Sequence, residues 1–136
     1  MFNPGMLILY VDNPPASTDF YTALLDRQPI EASATFAMFS LNSGIKLALW
    51  SKHTVQPPAA ICGGGGEITS IVNDDKEIDN LYKSVYQLRL RIAQAPARLE
   101  FGYSFMVLDP DGHRLRFLSL AEKPDLRALS VPATDE

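Results

Sequence analysis

One order of elements runs through this 136-residue chain twice, and that repetition limits its fold more than anything else in the sequence. Met6 to Val11 (MLILYV) is an apolar run of strand length. Pro14-Pro15 then open a helix to Leu25, because proline is tolerated in a first helical turn where its missing N–H would be unpaired anyway. Phe20 with Leu24 and Tyr21 with Leu25 supply the i, i+4 apolar spacing of that helix. Pro29 to Ala34, Phe36 to Leu41 and Ile45 to Trp50 are strand candidates, the last two joined by the turn residues Asn42-Ser43-Gly44. A second pass begins with the strand Glu67 to Val72. Asp74 to Leu88 follows as a helix with acidic residues in its first turn and an apolar stripe of Ile78, Leu81, Tyr82 and Val85. Arg91 to Ala95, Tyr103 to Leu108 and His113 to Leu120 complete it, with Asp109-Pro110-Asp111-Gly112 turning between the last two.

Subtraction sets the register of the two passes. Val11-Asp12 matches Val72-Asn73, and Phe20-Tyr21 matches Leu81-Tyr82, both at a shift of 61. Beyond the helix the shift is 68: Met38 matches Met106, Gly44 matches Gly112, and Lys46-Leu47 matches Arg114-Leu115. The difference, 68 − 61 = 7 residues, lies between the second helix and its final hairpin. Each half is a βαβββ unit too small to bury its own sheet, so halves must associate within or between chains. The expected fold is α+β: two βαβββ modules forming a curved mixed sheet, a cup with helices on its outer face. Residues 1–122 make one domain, with module one at about 4–52, a connector at 53–66 and module two at about 67–122. Residues 123–136 read as a polar tail.

Charge and cysteine content narrow the function classes. Twelve Lys and Arg against sixteen Asp and Glu give a net charge of −4. A general nucleic-acid binder or anionic-membrane binder needs a basic surface, so neither partner is expected. One cysteine excludes an internal disulfide framework and any multi-cysteine metal site. No apolar run reaches membrane-spanning length, and the N-terminal residues carry neither a basic flank nor a small-residue cleavage site, which makes a cytoplasmic protein the expectation. Gly63 to Gly66 precede a strand with no Lys-Ser/Thr after them, so they read as a flexible connector and not as a phosphate loop.

Two motifs then carry a resemblance. Strand–Val11-Asp12–x–Pro14–x–x–Ser17–x–x–Phe20-Tyr21 early, and Asp109-Pro110-Asp111-Gly112-His113 late, resemble the vicinal oxygen chelate superfamily of glyoxalases, bleomycin-resistance proteins and extradiol dioxygenases. The resemblance runs from about Met6 to Leu120. It implies sheets curved into a cup whose paired modules enclose a ligand cavity. Its enzymatic members usually hold a divalent metal by His, Gln or Glu on the first and last strand of each module. Counted from the motifs, those four positions are Met6, Ala48, Glu67 and Arg116 here. Glu67 alone is a hard oxygen donor, and a neighbouring guanidinium would compete for it. No metal and no other cofactor is therefore expected. His113 reads as a surface residue leaving a tight turn, His53 as a solvated loop histidine, and Cys62 as a thiol with no basic neighbour.

Strand alternation assigns the cup face. With Met6 and Ala48 inward, Ile8, Tyr10 and Trp50 point the same way, while Leu7, Leu9, Leu47, Leu49, Leu115 and Phe117 face the helices. Met38 and Met106 join the cup by analogy with the family's penultimate strands. The candidate ligand-binding residues are thus Tyr10, Met38, Trp50, Glu67, Met106 and Arg116, with no catalytic residue among them. Aromatic planes and thioethers suit a flat conjugated guest. The Leu47-Ala48-Leu49-Trp50-Ser51 strand, Glu67 and the Asp-Pro-Asp-Gly-His turn with Arg116 look most like the antibiotic-binding branch, including phenazine-resistance proteins. The expected function is non-catalytic sequestration of a small planar aromatic compound by a homodimer whose cavities are lined by both chains. The alternative is a metal-dependent lyase or dioxygenase with displaced ligands, which metal analysis of protein purified without added ions would reveal. Glu67 and Arg116 are expected to pair in place of the metal.

Overall fold

The computed structural model describes residues 1–121; the expected tail at 123–136 lies outside the described residues. The elements are β1 (Met6–Val11), α1 (Pro14–Leu25), β2 (Glu31–Ala32), β3 (Phe36–Ser40), β4 (Lys46–Ser51), β5 (Glu67–Val72), α2 (Asp75–Gln87), β6 (Arg91–Leu99), β7 (Gly102–Leu108) and β8 (Arg114–Leu120). They form two four-stranded mixed sheets of identical order, β1-β4-β3-β2 and β5-β8-β7-β6. The fold is α+β, built from two βαβββ modules.

The repeat extends to the capping atoms. Asn13 caps α1 by accepting from the Ala16 N–H, and Asp74, 61 residues on, caps α2 by accepting from the Glu77 N–H. A side-chain oxygen at this position satisfies one of the N–H groups a helix start leaves open. Both hairpins also close identically. Leu41 N donates to Ile45 O and Gly44 N to Leu41 O, and 68 residues later Asp109 N donates to His113 O and Gly112 N to Asp109 O, each at 3.0 Å. Gly44 and Gly112 sit at φ +96° and +85°, the left-handed position that this three-residue hairpin loop requires.

The described residues divide into two compact units: Met1–Glu67 together with Leu108–Arg114, and Ile68–Val107 together with residues 115–121. In the first unit, β1 runs parallel to β4, and β3 runs antiparallel to both β4 and β2. Leu9, Leu47, Leu49, Ala37 and Phe39 are buried on the face that α1 covers, with Val11 beside them. Arg27, just past the end of α1, braces the β3–β4 turn by donating to the Ser40 carbonyl and to Asn42 Oδ1. In the second unit Phe117 stacks on Phe105 with ring centroids 4.6 Å apart, and Tyr82 of α2 meets Phe105 edge-on at 5.3 Å. The strand expected over Arg91 to Ala95 runs on to Leu99. Its proline, Pro96, is tolerated because β6 is an edge strand.

The connector departs from expectation. Val55 is buried, and Gly63 lies so close to the β7–β8 turn that an added Cβ would stand 2.6 Å from Gly112 C and His113 N. Only glycine permits that approach, so this part of 53–66 is seated against the first unit and is no free linker.

Candidate functional site

The face of the first sheet away from α1 gathers three of the six sequence-assigned residues. Tyr10 pairs in register with Trp50, and Trp50 with Phe36, so three aromatic side chains form one row across β1, β4 and β3. The next row is Ile8, Ala48 and Met38, and the third is Met6, Lys46 and Ser40. Cross-strand partners share a face and neighbouring strands lie about 4.8 Å apart, so the aromatic row spans roughly 10 Å. Met6 and Ile8 of this face remain 42% and 40% exposed, whereas Ala48 between them and Met38 is buried; on the α1 side Leu9 and Val11 are buried, and Leu7, near the start of β1, is 36% exposed. Tyr10 and Trp50 therefore lie on the face that alternation assigned to them, and Met38, assigned by analogy with the family's penultimate strands, lies on the same face. Phe36 was not assigned from sequence, although its parity with Met38 on the same strand was the available signal.

On the second sheet, Phe105 and Phe117 face α2, which puts Ser104, Met106 and Arg116 on the opposite face by alternation. Arg116 donates from Nη1 to the buried Ser104 Oγ at 2.7 Å and lies 3.5 Å from Gln94 Oε1. Met106 is buried, and Glu67 is exposed at the head of β5.

The four positions at which a divalent ion's ligands were sought offer a thioether, a methyl group, a carboxylate and a guanidinium. That donor set does not fit a hard or borderline divalent cation, which takes oxygen, imidazole or thiolate ligands. Among the described residues no group of three or more His, Cys, Asp or Glu is arranged to hold a metal.

The β7–β8 turn corrects the reading of His113. This histidine is 9% exposed, buried rather than at the surface. Its Nε2 lies 3.0 Å from the Tyr10 carbonyl, and a carbonyl only accepts, so Nε2 carries the proton. Asp109, fully buried, accepts from the Tyr21 hydroxyl at 2.7 Å and from the Asp111 and His113 N–H groups at 2.8 Å each. Burial first, then the Asp109 and Asp111 charges, hold the Tyr21 hydroxyl far above the ordinary tyrosine range, so it stays a donor. His53 is exposed as expected, but its Nε2 sits 2.8 Å from Asp12 Oδ1, and this contact leads the causes that lower the Asp12 carboxyl.

Residues 4–117 match the family profile described as Glyoxalase/Bleomycin resistance protein/Dioxygenase superfamily. The chain belongs to that superfamily. The phenazine antibiotic resistance protein EhpR of Enterobacter agglomerans is 26% identical over 120 residues, covering 86% of this chain and 92% of that one. Protein ATC0852 from Agrobacterium tumefaciens, solved by NMR, is 48% identical with a TM-score of 0.79, covering 90% of this chain and all of that one. A glyoxalase/bleomycin resistance protein/dioxygenase from Nocardioides shares the fold at 22% identity, with a TM-score of 0.77 over 91% of this chain and 87% of its own. Of the residues that carried the resemblance, Tyr21, Asp109, Asp111 and His113 are joined at the β7–β8 turn. No helix of the described residues is long and apolar enough to cross a membrane.

Proposed function

We propose that this protein binds a small planar aromatic compound on the helix-free face of its first sheet, as a sequestering protein without a catalytic step of its own. The row Tyr10–Trp50–Phe36 is the observation that carries the reading. Its width of roughly 10 Å is comparable with the length of a three-ring planar system, and the neighbouring Met38 supplies a polarizable sulfur beside it. Relation to a phenazine antibiotic resistance protein supports a guest of this shape. On the second sheet the proposal adds Met106 and Arg116, on the face away from α2, and Glu67 at the head of β5. A homodimer belongs to the same reading, because Met6 and Ile8 leave apolar surface that a second copy would cover.

Trp50 is the chain's single tryptophan, so binding has an intrinsic reporter. Titration with phenazine is expected to quench its emission saturably. Emission that falls only in proportion to added phenazine, as collisional quenching does, would remove the reading.

A further inference from the structure

The outer edge of β1 is closed at one end by side chains instead of by another strand. In a parallel ladder the N–H and C=O of one residue point to the same side, and successive residues alternate. Gly5 and Val11 turn their carbonyls toward β4, where they accept from Lys46 N and Lys52 N at 3.0 and 2.8 Å. Tyr10 and Asp12 therefore face outward. Both find partners on the β7–β8 turn: Asp111 Oδ1 accepts from the Asp12 N–H at 2.8 Å, and His113 Nε2 donates to the Tyr10 carbonyl at 3.0 Å. Alternate residues of the turn thus meet alternate residues of the strand, as a neighbouring strand would.

The turn is itself held on the first unit. Tyr21 grips Asp109, the Ser17 hydroxyl lies 3.4 Å from Asp111 Oδ2, and Gly63 packs against the Gly112 and His113 backbone. We infer that Asp111 and His113 are positioning residues that hold the end of β1, and with it the Tyr10 ring, in line with Trp50 and Phe36. This assignment rests on the binding reading above. Tyr10 needs such a hold because, among the described residues, β1 is an edge strand with β4 as its one partner in the sheet. A ring that must be ordered at the moment of binding spends affinity on that ordering.

The test is a phenazine titration, read by Trp50 emission, on five chains: the wild type, His113→Leu, His113→Gln, Tyr10→Ala, and Tyr10→Ala combined with His113→Leu. His113→Leu removes the donor and should weaken binding by roughly fivefold, the scale of ordering one side chain. His113→Gln keeps an N–H of similar reach and should restore affinity to within about twofold on the same scale. In the Tyr10→Ala background, His113→Leu should have no further effect. Equal losses with and without Tyr10, or no loss in His113→Leu, overturn the inference. Amide exchange gives a readout without guest, in case His113→Leu does not fold or the wild type does not bind phenazine. The Asp12 N–H should be protected in the wild type and released in Asp111→Ala; equal exchange in both overturns the hold, whereas a wild type that fails to bind phenazine overturns the binding reading alone.

Discussion

Tyr21→Phe removes one oxygen atom from a fully buried contact, and the structure sets what that atom is worth. The hydroxyl donates at 2.7 Å to Asp109, a carboxylate with no exposed surface, and Tyr21 is itself 1% exposed. A hydrogen bond to a buried charge contributes about 1.5–3 kcal/mol, and the variant leaves the carboxylate with fewer donors and no water in exchange. The expected loss is about 2 kcal/mol, a fall in Tm of roughly 6–10 °C for a domain of this size. A pH dependence separates this mechanism from simple loss of packing. The folded chain holds the Tyr21 proton far above the ordinary range, whereas the unfolded chain releases it near pH 10. A group raised on folding stabilises fully below its unfolded value, and that contribution is lost as pH rises past it. Wild-type stability from this group should fall by about 1.4 kcal/mol between pH 8 and pH 11, and the Tyr21→Phe chain has nothing there to titrate. Urea unfolding of both chains at the two pH values measures the difference. The penalty of the substitution should shrink from about 2 to about 0.6 kcal/mol. A penalty below about 0.5 kcal/mol at pH 8, or one that is the same at both pH values, refutes the reasoning.

Gly63→Ala should destabilise by about 1–3 kcal/mol, because its Cβ meets turn backbone at 2.6 Å; thermal unfolding that matches the wild type would mean the connector can move away. Sedimentation at low micromolar concentration should show a species of twice the chain's 15.0 kDa, and a 15.0 kDa species alone would count against the dimer.

Local signals made the fold legible. The strand at Met6, the cap at Asn13 and the glycine at Gly44 each recur 61 or 68 residues later, because a strand start, a helix start and a hairpin loop are decided by a few adjacent residues. Alternation along β4 and β1 likewise brought Tyr10 and Trp50 to one face, since a buried sheet side fixes parity. His113 was misread because its position in sequence, after a turn glycine, describes only its backbone. What its ring meets is the Tyr10 carbonyl, 103 residues away, and the role of Asp109 depends on Tyr21 at a separation of 88. Gly63 reads as part of a flexible connector because conformational freedom is visible in sequence, whereas close approach to Gly112 arises only after folding. The same holds for Phe36, whose place beside Trp50 follows from strand register and not from its own neighbours.

The central claim, that a flat guest stacks on the helix-free face of the first sheet, is tested most directly by Trp50→Ala. Trp50 is the middle residue of the aromatic row and is only half-buried, so its loss should spare the core while removing the main stacking plane. Calorimetric titration with phenazine should show affinity reduced by about 1–3 kcal/mol, the range for a desolvated aromatic contact, in a variant that still unfolds cooperatively. Unchanged affinity in that folded variant would place the guest elsewhere and contradict the account.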